Sequence, residues 1–409
     1  MKTELLKKYA RLLVKTGVNI QKNQTLVILA PIETAYFVRI VSEIAYKEGA
    51  KDVQIFWKDE ESTKIKYLHA PEEAFEEFPS WQKEFYLSYS KKGAAFLHIY
   101  AENPEIFKDV NPERIAKYSK VRNTELKEYT ERTMNNEHAW CVSSIPTVGW
   151  AKKVYPNLSE EEAVEKLWDA ILKTVRVDKE DPVSEWEEHK NRLKNIMEFL
   201  NNNRFKYLHY KNELGTDLII ELPEKHIWAG GAEFTKDGVA FIANMPTEEV
   251  FTLPKKDGVN GKVVSSRPLN YNGNLIENFS LTFKDGRIID FTAEKGYENL
   301  KQLIETDEGS HYLGEVALVP YDSPISNLKT IFYNTLFDEN ASCHLAIGKA
   351  YSPCIKGGEK MTKEELEKEG ANDSLVHEDF MVGTRDLEII GTTFDGKEIP
   401  IFKKGNFAF

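Results

Sequence analysis

Two histidines with carboxylates beside them stand out between Asp338 and Asp379, where the chain reads DENASCHLAIGKAYSPC, then a charged segment, then NDSLVHEDF. Asp338 and Glu339 lie just upstream of His344, and Glu378 and Asp379 directly follow His377. Imidazole with carboxylate is the donor set that suits zinc, cobalt or manganese. In an extended segment, residues two apart point to the same side, so His377 and Asp379 can reach one ion together. On a helix they would diverge. The stretch therefore reads as the floor of a metal site. A chain with 66 acidic residues puts Asp or Glu near many histidines in any case, and neither an HExxH helix nor paired CxxC motifs are present to sharpen the signal.

Two further carboxylates could complete such a site. Asn244 to Phe251 reads NMPTEEVF, with Glu248 and Glu249 inside an otherwise apolar, strand-like run. Neighbours on a strand point to opposite faces, so one of the two is expected to point inward. Gly314 to Val319 reads GEVALV, an apolar strand that opens with Glu315. A carboxylate in a buried strand is costly unless it is paired or coordinated. A salt bridge or a solvent contact at the strand end is the ordinary alternative.

These residues need elements to hold them. From the N-terminus, residues 5–16 have helical periodicity closed by Gly17, and Thr25 to Ala30 is a short apolar run suited to a buried strand. Thr34 to Lys47 is an amphipathic helix, and Val53 to Trp57 is a second strand. That βαβ order predicts a parallel sheet, to which Ala94–Tyr100 and Trp140–Pro146 add candidates. Ser159 and Glu162 form a capping box for a helix through Val175, and Ser184 with Glu187 repeats the pattern. The charged stretch Arg176 to Pro182 is the candidate boundary. After about residue 204 the texture turns to short strands and turn residues: KYLHY, DLIIEL, VAFIANM, SLTFKDGRIIDFTA with Asp285-Gly286 as a hairpin turn, GEVALV, and the final DLEIIGTTFDGKEIPIF. The fold expected is an α/β N-terminal domain with a parallel sheet over 1–182, followed by a β-rich α+β catalytic domain over 183–409.

Composition narrows the function. At 409 residues, with 41% hydrophobic and 11% aromatic residues, the chain can build substantial cores. A net charge of −12 argues against nucleic acid or an anionic membrane as a partner. Cys141, Cys343 and Cys354 form no even framework and suit a reducing compartment. The first residues lack the apolar block of a signal peptide, so a cytoplasmic location is expected. No GxGxxG or Walker loop follows Ala30, and no GxSxG elbow or cysteine-protease motif is present. Cys343 beside His344 suggests a nucleophile, but a residue next to a candidate ligand normally points elsewhere. Histidines 69, 98, 138, 189, 209, 226 and 311 are taken as packing or surface residues, with His311 the one to watch for its closeness to Glu315.

Taken together, these motifs resemble the metallo-aminopeptidase family typified by aminopeptidase T and aminopeptidase S. The resemblance runs through YARLLVKTGVNIQKNQTLVI, AYKEGAKDV, ELGTDLIIELP, NMPTEEVFTLP, LGEVALVP, LFDENASCHLAIGKAY and NDSLVHEDFMVGT, in that order along the chain. It implies metal ligands at Glu249, Glu315, Glu339, His344, His377 and Asp379, with Tyr351 beside the metals. It also implies two divalent ions, zinc or cobalt with magnesium or manganese as further options, and a homodimer that encloses the active-site cavity. The N-terminal domain would then supply cavity wall and dimer contacts. Six protein ligands exceed what one catalytic zinc uses, and fit two ions about 3.5–4 Å apart with a bridging carboxylate. Four carboxylates would balance the charge of two divalent ions.

The activity expected is release of N-terminal residues from short peptides with a free N-terminus by a metal-activated water. Glu315 is the first choice as bridging ligand and proton handler, Glu339 is the alternative base, and Tyr351 stabilises the oxyanion. The competing readings are a dinuclear amidase or esterase indifferent to the N-terminus, and a non-catalytic peptide-binding protein.

Overall fold

The computed structural model describes residues 2–409, and the chain divides into two compact units, residues 1–191 with 231–247 and residues 192–230 with 248–409. The first unit is built on a five-stranded sheet whose strands all run parallel: β1 (Thr25–Pro31), β2 (Asp52–Lys58), β3 (Ala95–Ile99), β4 (Trp140–Ser143) and β5 (Asn244–Met245), in the order β5-β4-β3-β1-β2. The central strand β1 is buried along nearly its whole length, as a strand covered on both faces must be. On one face Val27, Leu29 and Phe96 pack with Tyr86, Leu87 and Tyr129. Elsewhere in this unit Tyr9 of helix α1 (Lys2–Leu12), Phe37 of α2 (Ala35–Lys47) and Trp168 of α3 (Glu160–Thr174) form an aromatic cluster.

The parallel sheet agrees with the sequence reading, with one difference. VAFIANM was expected as a strand of the β-rich half, yet its Asn244–Met245 portion is β5, paired in parallel with β4. Periodicity reports a strand and not its partner, and this partner lies about a hundred residues upstream. The capping box at Ser159 is formed as expected. The one expected at Ser184 is not. Helix α4 (Pro182–Asn203) starts earlier, because Asp181 Oδ1 accepts from the N–H groups of Val183 and Ser184, and proline fits the first helical position.

The second unit holds two antiparallel sheets. One has nine strands and includes the hairpin of Asn274–Lys284 with Arg287–Lys295, turned at Asp285 and Gly286, both with positive φ as a type I′ turn requires. The other sheet carries the candidate site. It comprises the short strand Ala229–Gly230, β6 (Val250–Thr252), β7 (Leu313–Leu318), β8 (His344–Gly348) and β9 (His377–Met381), with neighbours paired in the order β9-β8-β7-β6-(229–230). Val250, Val316, Leu318, Leu345, Ile347 and Phe380 belong to one large buried core. Among the described residues, no helix is long and apolar enough to cross a membrane.

Candidate metal centre

The register of β7, β8 and β9 decides which side chains share a face. Ala317 pairs with His344 and His344 with Met381; Glu315 pairs with Ala346 and Ala346 with Asp379; Gly348 pairs with His377. Residues directly opposite in a sheet share a face. Glu315, His344, His377 and Asp379 therefore project from one side, while Val316, Leu345, Ile347 and Phe380 project into the core on the other. The other residues on that face are Ala317, Ala346, Gly348 and Met381, and the three small ones leave the longer side chains room to converge.

A bulge puts Glu315 there. Leu313 pairs with Ile347 and belongs to the core, so in a regular strand Glu315, two residues on, would face the core too. The register shifts between Leu313 and Glu315, and Gly314 is the extra residue. A Cβ on Gly314 would lie 2.4 Å from the carbonyl oxygens of both Gly348 and Lys349, so the bulge admits only glycine.

The side chains meet closely. His344 Nε2 lies 2.9 Å from Glu249 Oε2, 3.7 Å from Glu315 Oε1 and 4.0 Å from Asp379 Oδ1. His377 Nε2 lies 3.3 Å from Glu315 Oε2 and 3.7 Å from Asp379 Oδ2. Two triads result, Glu249–Glu315–His344 and Glu315–His377–Asp379, each with its ligand atoms within 4.8 Å of one another. Glu315 belongs to both. Glu249 does not lie inside a strand as expected: β6 begins at Val250, and both Glu248 and Glu249 are buried just before it.

Backbone carbonyls set both imidazoles. His344 Nδ1 donates to the carbonyls of Glu339 and Ser342, each at 3.0 Å, and His377 Nδ1 donates to that of Lys349 at 2.7 Å. A carbonyl can only accept, so each Nδ1 carries its hydrogen and each Nε2 is turned to the carboxylates. This is the arrangement that orients metal-ligating histidines.

Glu339 lies outside both triads. It ends helix α5 (Thr335–Glu339), is buried, and has Oε1 bonded by Asn340 Nδ2 at 3.3 Å. Burial, then the charges of Asp379 and Glu249, push its carboxyl well above the usual range. Burial opposes ionisation of Glu315 too, but the His344 and His377 imidazoles outweigh it and hold that carboxyl down to about 2. Burial lifts Asp379 to about 6. Burial works against a charged His377, yet Asp379 and Glu315 raise it to about 9, and Glu249 with Glu315 lifts His344 well above its ordinary value. The cluster as a whole demands positive charge.

Tyr351, half-buried, stacks edge-on against His377 with ring centroids 4.9 Å apart. Burial, reinforced by the carboxylates of Glu315, Asp379, Glu249 and Glu339, keeps its hydroxyl protonated.

Sequence reasoning missed the supports. Asp338, noted only as an acid near His344, is 1% exposed and instead accepts from the N–H groups of Phe332 and Asn334 and from Arg267 Nη1. Asn340 donates to the Leu336 carbonyl and accepts from the Glu248 N–H at 2.8 Å, tying α5 to the segment before Glu249. No spacing rule marks either residue. His311 sits among Arg287, Glu308, Glu305 and Asp307, apart from the triads. Cys343 is buried, donates to the Val319 carbonyl, and has its thiol pushed up to about 12 by burial, as a packing cysteine does.

Imidazole nitrogens and carboxylate oxygens are the donors a divalent cation takes, and the buried Asp379 Oδ1 has no hydrogen-bond partner. The residues fit a metal. Comparison with known proteins points the same way. Residues 2–407 match the family described as thermophilic metalloprotease (M29). The chain is 52% identical to aminopeptidase 2 of Geobacillus stearothermophilus over 404 residues, covering 99% of this chain and 98% of that one. It is 51% identical to aminopeptidase AmpS of Bacillus subtilis over 407 residues, covering 100% and 99%. The solved structure of wild-type AmpT from Thermus thermophilus matches with a TM-score of 0.91 and 38% identity over the full length of both chains. With the fold, the buried His–carboxylate cluster and full-length similarity in agreement, the chain belongs to the M29 family of metallopeptidases.

Proposed function

We propose that this metallopeptidase is an aminopeptidase that releases N-terminal residues from short peptides, with two divalent ions held by Glu249, Glu315, Glu339, His344, His377 and Asp379. The observation that carries the reading is Glu315, whose two oxygens face two different imidazoles and which completes both triads. A carboxylate so placed is suited to bridge. Zinc and cobalt match the donor set best, with manganese and magnesium next. Such ions, when bound, supply an acidified water and polarise the scissile carbonyl.

The protein's own groups divide the remaining work. Both oxygens of Glu315 face imidazoles, which leaves Glu339, buried beside the cluster, as the alternative group to receive the proton of the attacking water. The Tyr351 hydroxyl stays protonated and donates to the developing oxyanion. A free α-amine in its neutral form offers a lone pair that a divalent ion can take, whereas an acetylated nitrogen is an amide and offers none. This difference is the basis for selecting a free N-terminus. On the family resemblance, the chain acts as a cytoplasmic homodimer, with residues 183–409 as the catalytic domain.

The test is hydrolysis of a leucyl dipeptide by chelator-stripped protein, with single metals added back and an N-acetylated control. We expect activity restored by zinc, cobalt, manganese or magnesium on the free amine only. Equal cleavage of the blocked peptide would replace the aminopeptidase reading with a broader amidase.

A further inference from the structure

A cleft of about 370 Å³ in the second unit has a lining at odds with the composition of the chain. The protein carries 66 acidic residues against 54 basic ones, yet the charged residues lining this cleft are Arg267, Lys329 and Arg385, with no carboxylate. Among the described residues, neither Lys329 nor Arg385 makes an ion pair. Arg267 forms the inner wall. Its Nη1 bonds the Thr330 carbonyl at 3.3 Å and Asp338 at 3.2 Å. Asp338 pairs with that one charge, and the other two cations, Lys329 and Arg385, are exposed. The Arg267 Nε and Nη2 donors make no further bond among the described residues, although the side chain is only 15% exposed.

Lys329 adds an independent observation. It caps a short turn in the left-handed region, at φ 50° and ψ 35°. Of the eleven non-glycine residues with positive φ, six are Asn or Asp, the types that tolerate it. Lysine is not one of those types, and here it lines the cleft as an exposed cation. Hydroxyls of Ser266, Thr330 and Thr384 also line it. Cations and hydroxyls in a lining that holds no carboxylate form the chemistry that recognises an oxyanion.

We propose that this cleft, whose lining includes none of the candidate metal ligands, is an oxyanion-binding site sized for inorganic phosphate or the carboxylates of a small acid. Lys329 and Arg385 supply the charge, and Arg267 supplies the directed donors at the base.

Calorimetric titration of the metal-loaded, full-length protein with inorganic phosphate, and separately with succinate, tests this. Three proteins are compared: wild type, Lys329→Gly with Arg385→Ala, and Glu315→Gln. Glycine suits the backbone at 329 better than lysine does, and a thermal melt of the double variant beside wild type separates lost binding from lost fold. We expect one equivalent to bind wild type and Glu315→Gln alike, with affinity weakened about tenfold or more in the double variant and by added salt. Phosphate binding alone identifies a phosphate site, and succinate binding alone a carboxylate site. The proposal is overturned if the double variant binds as well as wild type, if binding is lost only in Glu315→Gln, or if neither anion binds at millimolar concentration.

Discussion

Asn340 shows how much of the centre depends on a side chain that touches no metal-ligating nitrogen. It bonds Glu339 Oε1, the Leu336 carbonyl and the Glu248 N–H at once. Asn340→Ala should lower metal affinity or turnover roughly 10- to 100-fold, the usual effect of removing an outer support. It also leaves the buried Glu248 N–H without its partner, at about 1–3 kcal/mol. Unchanged metal affinity and kcat in this variant would remove its positioning role. A second residue-scale prediction concerns the first unit. Glu60 opens the helix Glu60–His69, and burial, then Glu102, raises its carboxyl to about 8. Between the unfolded value near 4.5 and about 8, the folded protein holds a proton that the unfolded chain releases. Stability therefore falls as pH rises through that window. Glu60→Gln keeps the acceptor for the Asn103 N–H and removes the penalty, so thermal melts should show it gaining over wild type at pH 8 and not at pH 4. Equal gains at both would show that Glu60 is not the source.

At the scale of elements, the centre rests on three adjacent strands with one irregularity. The Gly314 bulge turns Glu315 from the core face to the ligand face. Gly314→Ala should displace the β7 backbone against the Gly348 and Lys349 carbonyls. We expect it to abolish metal binding measured by equilibrium dialysis, and to cost more stability than the ~1–3 kcal/mol of an ordinary overpacked site. Wild-type metal content in this variant would mean that the bulge does not aim Glu315. Such features mark the limit of what sequence can tell. The strands β8 and β9 were not read from the sequence, but the two-residue spacing of His377 and Asp379 implied a shared side in an extended segment, and that segment is a strand. The bulge was not legible, because GEVALV has the same pattern with or without an extra residue. Nor was α5, a single turn too short for periodicity. The Ser184 cap was misread because Asp181 with Pro182 offers a stronger start three residues earlier.

At the scale of the molecule, the parallel sheet of the first unit and the antiparallel sheets of the second followed from element order and turn chemistry. The assignment of Asn244–Met245 to the parallel sheet did not, since strand pairing across a hundred residues leaves no local trace. The candidate site lay between these cases. The acids and histidines were visible, but nothing short of the register and the family resemblance could join Glu249, Glu315 and Asp379 to one cluster. The central claim is that the cluster holds two ions through a shared Glu315. Counting metal per chain tests it most directly, by stripping the protein with chelator, dialysing it against zinc or cobalt, and repeating with Glu315→Gln. Wild type should hold two ions per chain, and the variant should show both sites weakened together. One ion per chain, or a variant that still holds two at wild-type affinity, would contradict it.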